Sequence, residues 1–147
     1  MSTYHSLTYH VTFSTKHRTP WIKDAWIERL HGYLGGTIKQ MDGIALKIGG
    51  IEDHVHLLIS LKTTHRIADI MRDLKKSSSK WVHEELGFPP FEWQDGYAIF
   101  TVSPTAREAV SNYIANQKEH HRKVSFREEL VRMLEEAGVV YDPKYLE

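Results

Sequence analysis

An α+β fold on a ferredoxin-like βαββαβ plan is what these 147 residues predict: an antiparallel sheet with two helices on one face, followed by C-terminal helices. The prediction rests on two observations. Hydrophobic spacing alternates between period two and period three to four in the order strand, helix, strand, strand, helix, strand. Glycine, proline, serine or threonine marks most of the switches.

Residues 4 to 14, YHSLTYHVTFS, are rich in Tyr, Thr, Val and Phe, as strands are, and end at the polar turn Thr15 to Pro20. From Ile22 the apolar positions Trp26, Leu30, Leu34, Ile38 and Met41 trace one face of a helix closed by Gly43. Gly35-Gly36 within it predict a close helix–sheet contact. Ile44, Leu46 and Ile48 alternate, Gly49-Gly50 is expected to turn the chain, and Val55, Leu57, Ile59 and Leu61 alternate again, as in a hairpin. Thr64 is the expected cap of a second helix with Ile67, Ile70, Met71, Leu74, Trp81 and Val82 inward, ending at Gly87. FPPFEWQDG, residues 88 to 96, holds too much Pro and Gly for regular structure and reads as an aromatic loop. Tyr97 to Ser103 is a fourth strand, and Ser103-Pro104 opens a helix through about His121. Ser125 and Glu128 have capping-box spacing before a short helix ending at Gly138. With no linker or low-complexity segment, residues 1–147 read as a single domain.

Composition excludes several chemistries. The absence of cysteine removes disulfides, thiolate zinc sites and cysteine nucleophiles, and fits a reducing cytosol. The N-terminal residues lack the order of a signal peptide, and no apolar run approaches the roughly 18 residues of a membrane helix. Nineteen basic residues balance nineteen acidic ones, but unevenly: the first 126 residues hold sixteen basic against thirteen acidic. This distribution permits a nucleic-acid partner without demanding one.

The chemistry-bearing stretch is GIEDHVHLLIS, residues 50 to 60. In a strand, His54 and His56 project to one face, about 7 Å apart along the backbone, while Val55, Leu57 and Ile59 face the other way. Two such imidazoles can converge on a metal ion; taken alone, so short a triplet fits hydrogen-bonded core histidines better. On the helix after residue 103, Tyr113 and Gln117 share a face at i and i+4, with His120 and His121 one turn further. That pair is also compatible with ordinary packing.

Taken together, the His54-Val55-His56 triplet, the Tyr113-Ile114-Ala115-Asn116-Gln117 block, the GYAIFTVS strand, the HHRKVSF continuation and the YDPKYL tail are specific. They resemble the single-tyrosine HUH transposases of small, insertion-sequence-200-like bacterial elements and their relatives associated with repetitive extragenic palindromes (REP). The similarity runs from FSTKHR to the C-terminus. It implies a metal-dependent endonuclease and strand transferase acting on single-stranded DNA with hairpin ends. His54, His56 and Gln117 would be metal ligands and Tyr113 the nucleophile. It further implies Mg²⁺ or Mn²⁺ as cofactor, cytoplasmic action at bacterial DNA, and a homodimer with joined sheets in which the tyrosine helix can serve the partner's site. Glu52 and Asp53 adjoin the motif and can tune it, although acids at a strand edge are more often simply solvated.

The implied chemistry is coherent. A phenol ionises near pH 10, so Tyr113 needs help to attack at neutral pH, and a phosphodiester needs its charge offset. A divalent ion supplies that help. Attack would leave a 5′-phosphotyrosine and a free 3′-hydroxyl, and an incoming 3′-hydroxyl would reverse the step. For DNA contacts the sequence offers Arg72, Lys76 and Lys80 as a one-sided helical stripe, with Lys16 and Arg18 at the end of the first strand. A solvated helix face is the competing reading. Phe91, Trp93 and Tyr97 can stack on unpaired bases or pack on their own core. Two rival functions stay open on the residues alone: a non-catalytic nucleic-acid-binding module with structural histidines, and a metal-dependent phosphoesterase using water.

Overall fold

The structure is a computed structural model describing residues 1–146. Its main elements are β1 (Leu7–Ser14), α1 (Ile27–Gln40), β2 (Ile44–Ile51), β3 (His54–Leu61), α2 (Ile67–Glu85), β4 (Ala98–Thr101), α3 (Arg107–Ala115), α4 (Gln117–His120) and α5 (Phe126–Glu136). The strands form one sheet in the order β2-β3-β1-β4, every neighbour antiparallel. This is the βαββαβ arrangement expected from the sequence.

The pleat sorts the side chains into two cores. Val11, Phe13, Val55, Leu57 and Ile59 meet Leu30, Leu34 and Ile38 of α1 and Ile70, Met71 and Leu74 of α2 on one face. Each such burial contributes about 1.5–3 kcal/mol. On the other face Leu58 packs with Val102 and Ile114 of α3, and Phe126, Leu130 and Leu134 of α5 cover Ala98 and Phe100. His54 and His56 belong to this second face, under α3, α4 and α5. No helix among the described residues is long and apolar enough to cross a membrane.

Several local expectations are corrected. Gly49 and Gly50 do not turn the chain: β2 runs through them to Ile51, and Glu52-Asp53 make the turn. Gly49 pairs with His56. A Cβ on it would overlap the Ile114 carbonyl oxygen and lie 2.9 Å from Ile114 Cγ2, so its missing side chain lets α3 settle onto β2. At Gly50, φ is +154° and a Cβ would run into the His54 carbonyl. The expected helix–sheet contact holds at Gly35, where a Cβ would lie 3.5 Å from Ile48 Cδ1, but Gly36 faces open space.

The first helix starts at Ile27 because Ile22 is used otherwise: it is buried, and its N–H donates to the Glu52 carbonyl (2.9 Å). The second is preceded by Arg66, not Thr64. The long helix expected over 103–121 is three pieces, a 3₁₀ turn at Pro104–Ala106, then α3 and α4 separated at Asn116 (φ −100°, ψ 23°). Phe91 and Trp93 are core residues, and Trp93 Nε1 donates to Ser78 Oγ (2.9 Å); of the three aromatic side chains suggested for base stacking, Tyr97 alone is exposed. The capping box of α5 forms as expected, Ser125 Oγ accepting from the Glu128 N–H at 3.1 Å.

Candidate active site

β3 lies inside the sheet, and three of the four residues opposite its two histidines are small: His56 pairs with Thr12 and Gly49, His54 with Ser14 and the larger Ile51. The space above is filled from α3, α4 and α5. Tyr113 comes from the last turn of α3. The break at Asn116 leaves Gln117 fully buried at the start of α4, with its Nε2 donating to the Tyr113 carbonyl (3.4 Å). Gln117 Oε1 lies 3.0 Å from His54 Nε2, so the expected tyrosine, glutamine and paired histidines meet within one chain.

Two further groups converge: His121, which the sequence placed one turn beyond Gln117 without a ligand role, and Glu129, which it did not single out. His121 Nε2 is 2.9 Å from Gln117 Oε1 and 3.2 Å from Glu129 Oε2. Glu129, from α5, has no exposed surface; its Oε1 is 2.7 Å from His56 Nε2 and 3.5 Å from His54 Nε2. Ligand atoms of His54, His56, His121 and Glu129 all lie within 4.8 Å of one another, a group that could hold a metal ion. The Tyr113 hydroxyl donates to Glu129 Oε2 and stands 3.4 Å from His120 Nε2, with Arg132 Nη2 donating to it at 3.3 Å.

The donor chemistry fits a cation. His54 Nδ1 is held by Asp53 Oδ1 (2.7 Å) and His121 Nδ1 by the Val124 carbonyl (2.5 Å), which puts their protons on the outer nitrogens. The inner nitrogens are then lone pairs, facing the Gln117 and Glu129 oxygens, which are also acceptors. Acceptors gathered around one point need a metal or extra protons between them. His56 completes the pattern, its Nδ1 lying 2.7 Å from His10 Nε2. Outer partners of this kind orient metal-binding imidazoles.

The electrostatics follow from burial and from Glu129. Burial, with His56 nearby, pushes the His10 pKa down to about 3. It pushes His56 down to about 4 against the opposing pull of Glu129. At His121 burial lowers the pKa, but the hydrogen bond and charge of Glu129, the Val124 carbonyl and Asp53 together outweigh it, and the pKa is raised. Burial alone would raise the Glu129 carboxyl, but where extra protons stand in for an ion, hydrogen bonds from His121 and His56 hold it well below the usual range. Burial and then the Glu129 hydrogen bond push the Tyr113 phenol up.

The candidate DNA contacts divide. Arg18 lines a cleft with Asp53, His121, Ser125 and Phe126, at the edge of the site. Lys16 pairs with Glu92 at 3.2 Å. Arg72, Lys76 and Lys80 are exposed on α2, across the sheet from the histidines, and Arg72 pairs with Asp73 (3.1 Å) and Asp69 (3.4 Å).

Comparison with known proteins gives the family and the fold. Residues 3–117 match the family described as IS200-like transposases. The ISDra2 transposase TnpA of Deinococcus radiodurans is 26% identical, over 77% of this chain and 85% of the relative. A crystal structure of a Deinococcus radiodurans protein assigned as a transposase superposes with a TM-score of 0.64 at 25% identity, covering 80% of this chain and 95% of the other. A REP-associated tyrosine transposase bound to a REP hairpin gives 0.62 at 15% identity, covering 100% and 92%. The matched span holds the four elements of the sheet, the paired histidines, Tyr113 and Gln117, and the chain belongs to the IS200-like transposase family.

Proposed function

We propose that this transposase cuts and rejoins single-stranded DNA at hairpin-bearing ends, with Tyr113 as nucleophile and His54, His56 and Gln117 holding Mg²⁺ or Mn²⁺, the whole within one HUH domain. The observation that carries the reading is the meeting of all four side chains in one chain, with Gln117 Oε1 3.0 Å from His54 Nε2. Imidazole favours manganese or softer ions, while amide oxygen, phosphate and water suit magnesium, and the family decides for these two. When bound, the ion would offset charge on the scissile phosphate and the leaving oxygen.

The chain's own residues do the rest. Asp53 and His10 fix the two histidine rings, so their inner nitrogens stay aimed at one point. Glu129, His120 and Arg132 surround the Tyr113 hydroxyl and limit where it can point. A bond forms from the phenolic oxygen to phosphorus as the bond from phosphorus to the 3′ oxygen breaks; the proton lost by the phenol balances the one gained by the 3′-hydroxyl. The 5′-phosphotyrosine keeps the phosphodiester energy, so another 3′-hydroxyl can reseal the strand without ATP. In this reading Lys16 and Arg18 would contact the cut strand, while Arg72, Lys76 and Lys80 would offer a separate surface to a duplex stem. The hairpin carried by the REP-associated relative supports this choice of partner.

The proposal includes a homodimer. It is supported by the edge strand β2, where Ile44 and Leu46 are 60% and 42% exposed. Each chain completes its own site in this proposal. Sedimentation equilibrium should give a mass of two chains, and a monomer at all concentrations would refute that part. The function itself is tested by mixing the protein with hairpin-bearing single-stranded DNA and Mn²⁺. A denaturant-resistant conjugate is expected from wild type and none from Tyr113→Phe. Strand cleavage that survives in Tyr113→Phe would favour a water-using phosphoesterase, and DNA binding without cleavage a non-catalytic module.

A further inference from the structure

Glu129 lies twelve residues beyond the end of the family match at residue 117, on a helix that otherwise presents apolar residues to the sheet. A carboxylate without exposed surface is costly unless paired. Its ion-pair partners among the described residues are the imidazoles of His54, His56, His120 and His121; no lysine or arginine is among them. The two oxygens are used differently. Oε1 faces His56 Nε2 at 2.7 Å and His54 Nε2 at 3.5 Å, while Oε2 accepts from the Tyr113 hydroxyl and from Gln117 Nε2 (3.3 Å).

We propose that Glu129 is a bridging carboxylate, joining the metal ligands through Oε1 and positioning the Tyr113 hydroxyl through Oε2. The inference rests on the metal-site reading above and adds to it an anionic ligand from α5. It gives the buried carboxylate a full counter-charge at the ligand cluster. It also ties the nucleophile to the metal through one side chain, so that filling the metal site and aiming the phenol become one event. Glu129 sits on the apolar stripe of α5, three residues after Phe126 and just before Leu130; a residue needed only for solubility would face outward there.

The test uses the full chain without DNA. Mn²⁺ binding is measured by calorimetry and by the rise in melting temperature each variant shows over its own metal-free value. Glu129→Gln, which keeps the shape and loses the charge, should bind Mn²⁺ at least about tenfold more weakly than wild type, and Glu129→Asp should recover part of the loss. With DNA and saturating Mn²⁺, Glu129→Gln should lower the rate of conjugate formation while leaving DNA affinity unchanged. If Glu129→Gln binds Mn²⁺ like wild type while His56→Ala does not, Glu129 is not a ligand and the proposed function stands. If His56→Ala also binds like wild type, the metal-site reading itself fails. Should Glu129→Gln not fold, Glu129→Asp decides: a Mn²⁺ response equal to wild type, from a carboxylate one methylene shorter, would overturn the bridging geometry.

Discussion

Gly49→Ala should disable the site without touching any polar group in it. The added methyl would lie 2.9 Å from Ile114 Cγ2 and 3.1 Å from the Ile114 carbonyl carbon, besides overlapping the carbonyl oxygen. Carbon–carbon contacts settle at about 3.5–4.0 Å, so α3 must retreat by roughly 0.5–1 Å. Ile114 adjoins Tyr113 and precedes Gln117 by less than one turn, so the retreat moves the nucleophile and the proposed ligand together. Overpacking of this kind costs about 1–3 kcal/mol, or roughly 2–12 °C in melting temperature for a chain of this size. A displacement near 1 Å at a reacting group can cost about 10²-fold in rate. The assay is the initial rate of tyrosine–DNA conjugate formation, with melting temperature measured alongside. Gly36→Ala is the control: nothing lies within 4 Å of its Cβ, and it sits inside a helix, so it should gain about 0.5–1 kcal/mol and keep full activity. Wild-type conjugate formation by Gly49→Ala would refute the claim that the bare backbone at Gly49 sets the position of α3.

Other outcomes follow from named contacts. Removing an outer partner of either histidine, by Asp53→Ala or His10→Ala, should weaken Mn²⁺ binding about 10–100-fold by calorimetry; unchanged affinity would mean that these contacts do not orient the ligands. Arg18→Ala should flatten the salt dependence of single-strand binding by about 0.7 in log–log slope. The double variant Lys76→Ala, Lys80→Ala should flatten it only for hairpin-bearing DNA, and equal effects on both DNAs would undo the division of labour. His31, on α1, has its Nε2 buried without a hydrogen-bond partner among the described residues, and burial lowers its pKa from 6.5 to about 4. The unfolded chain therefore binds the proton more readily between those values, and stability falls as pH drops from about 6.5 toward 4. His31→Leu should lose less melting temperature than wild type between pH 7 and pH 5; an equal loss would contradict the assignment.

The sheet and its two-sided burial were legible because the signal is periodic: Val55, Leu57 and Ile59 on one face, His54 and His56 on the other, are fixed by alternation alone. Gly49-Gly50 misled because glycine serves both turns and close approaches, and the approaching partner, Ile114, is some sixty residues away. The helix break at Asn116 carries no proline or glycine to announce it, whereas the shared face of Tyr113 and Gln117 follows from their spacing. Phe91 and Trp93 lie in a segment whose prolines rightly exclude regular structure, yet their size makes burial the stronger term. His121 and Glu129 were findable. His121 is four residues after Gln117, on the same face, and Glu129 interrupts the stripe of Phe126, Leu130 and Leu134. A charge on an apolar stripe was the available sign; the capping box at Ser125 and Glu128 accounts for the neighbouring acid and leaves this one unexplained.

The most direct measurement is to trim the Mn²⁺-dependent protein–DNA conjugate with nuclease and map the modified peptide by mass spectrometry. The account predicts a nucleotide joined through its 5′ phosphate to Tyr113 and to no other residue. A conjugate on a different side chain, or cleaved DNA with no covalent adduct at any stage, would contradict it.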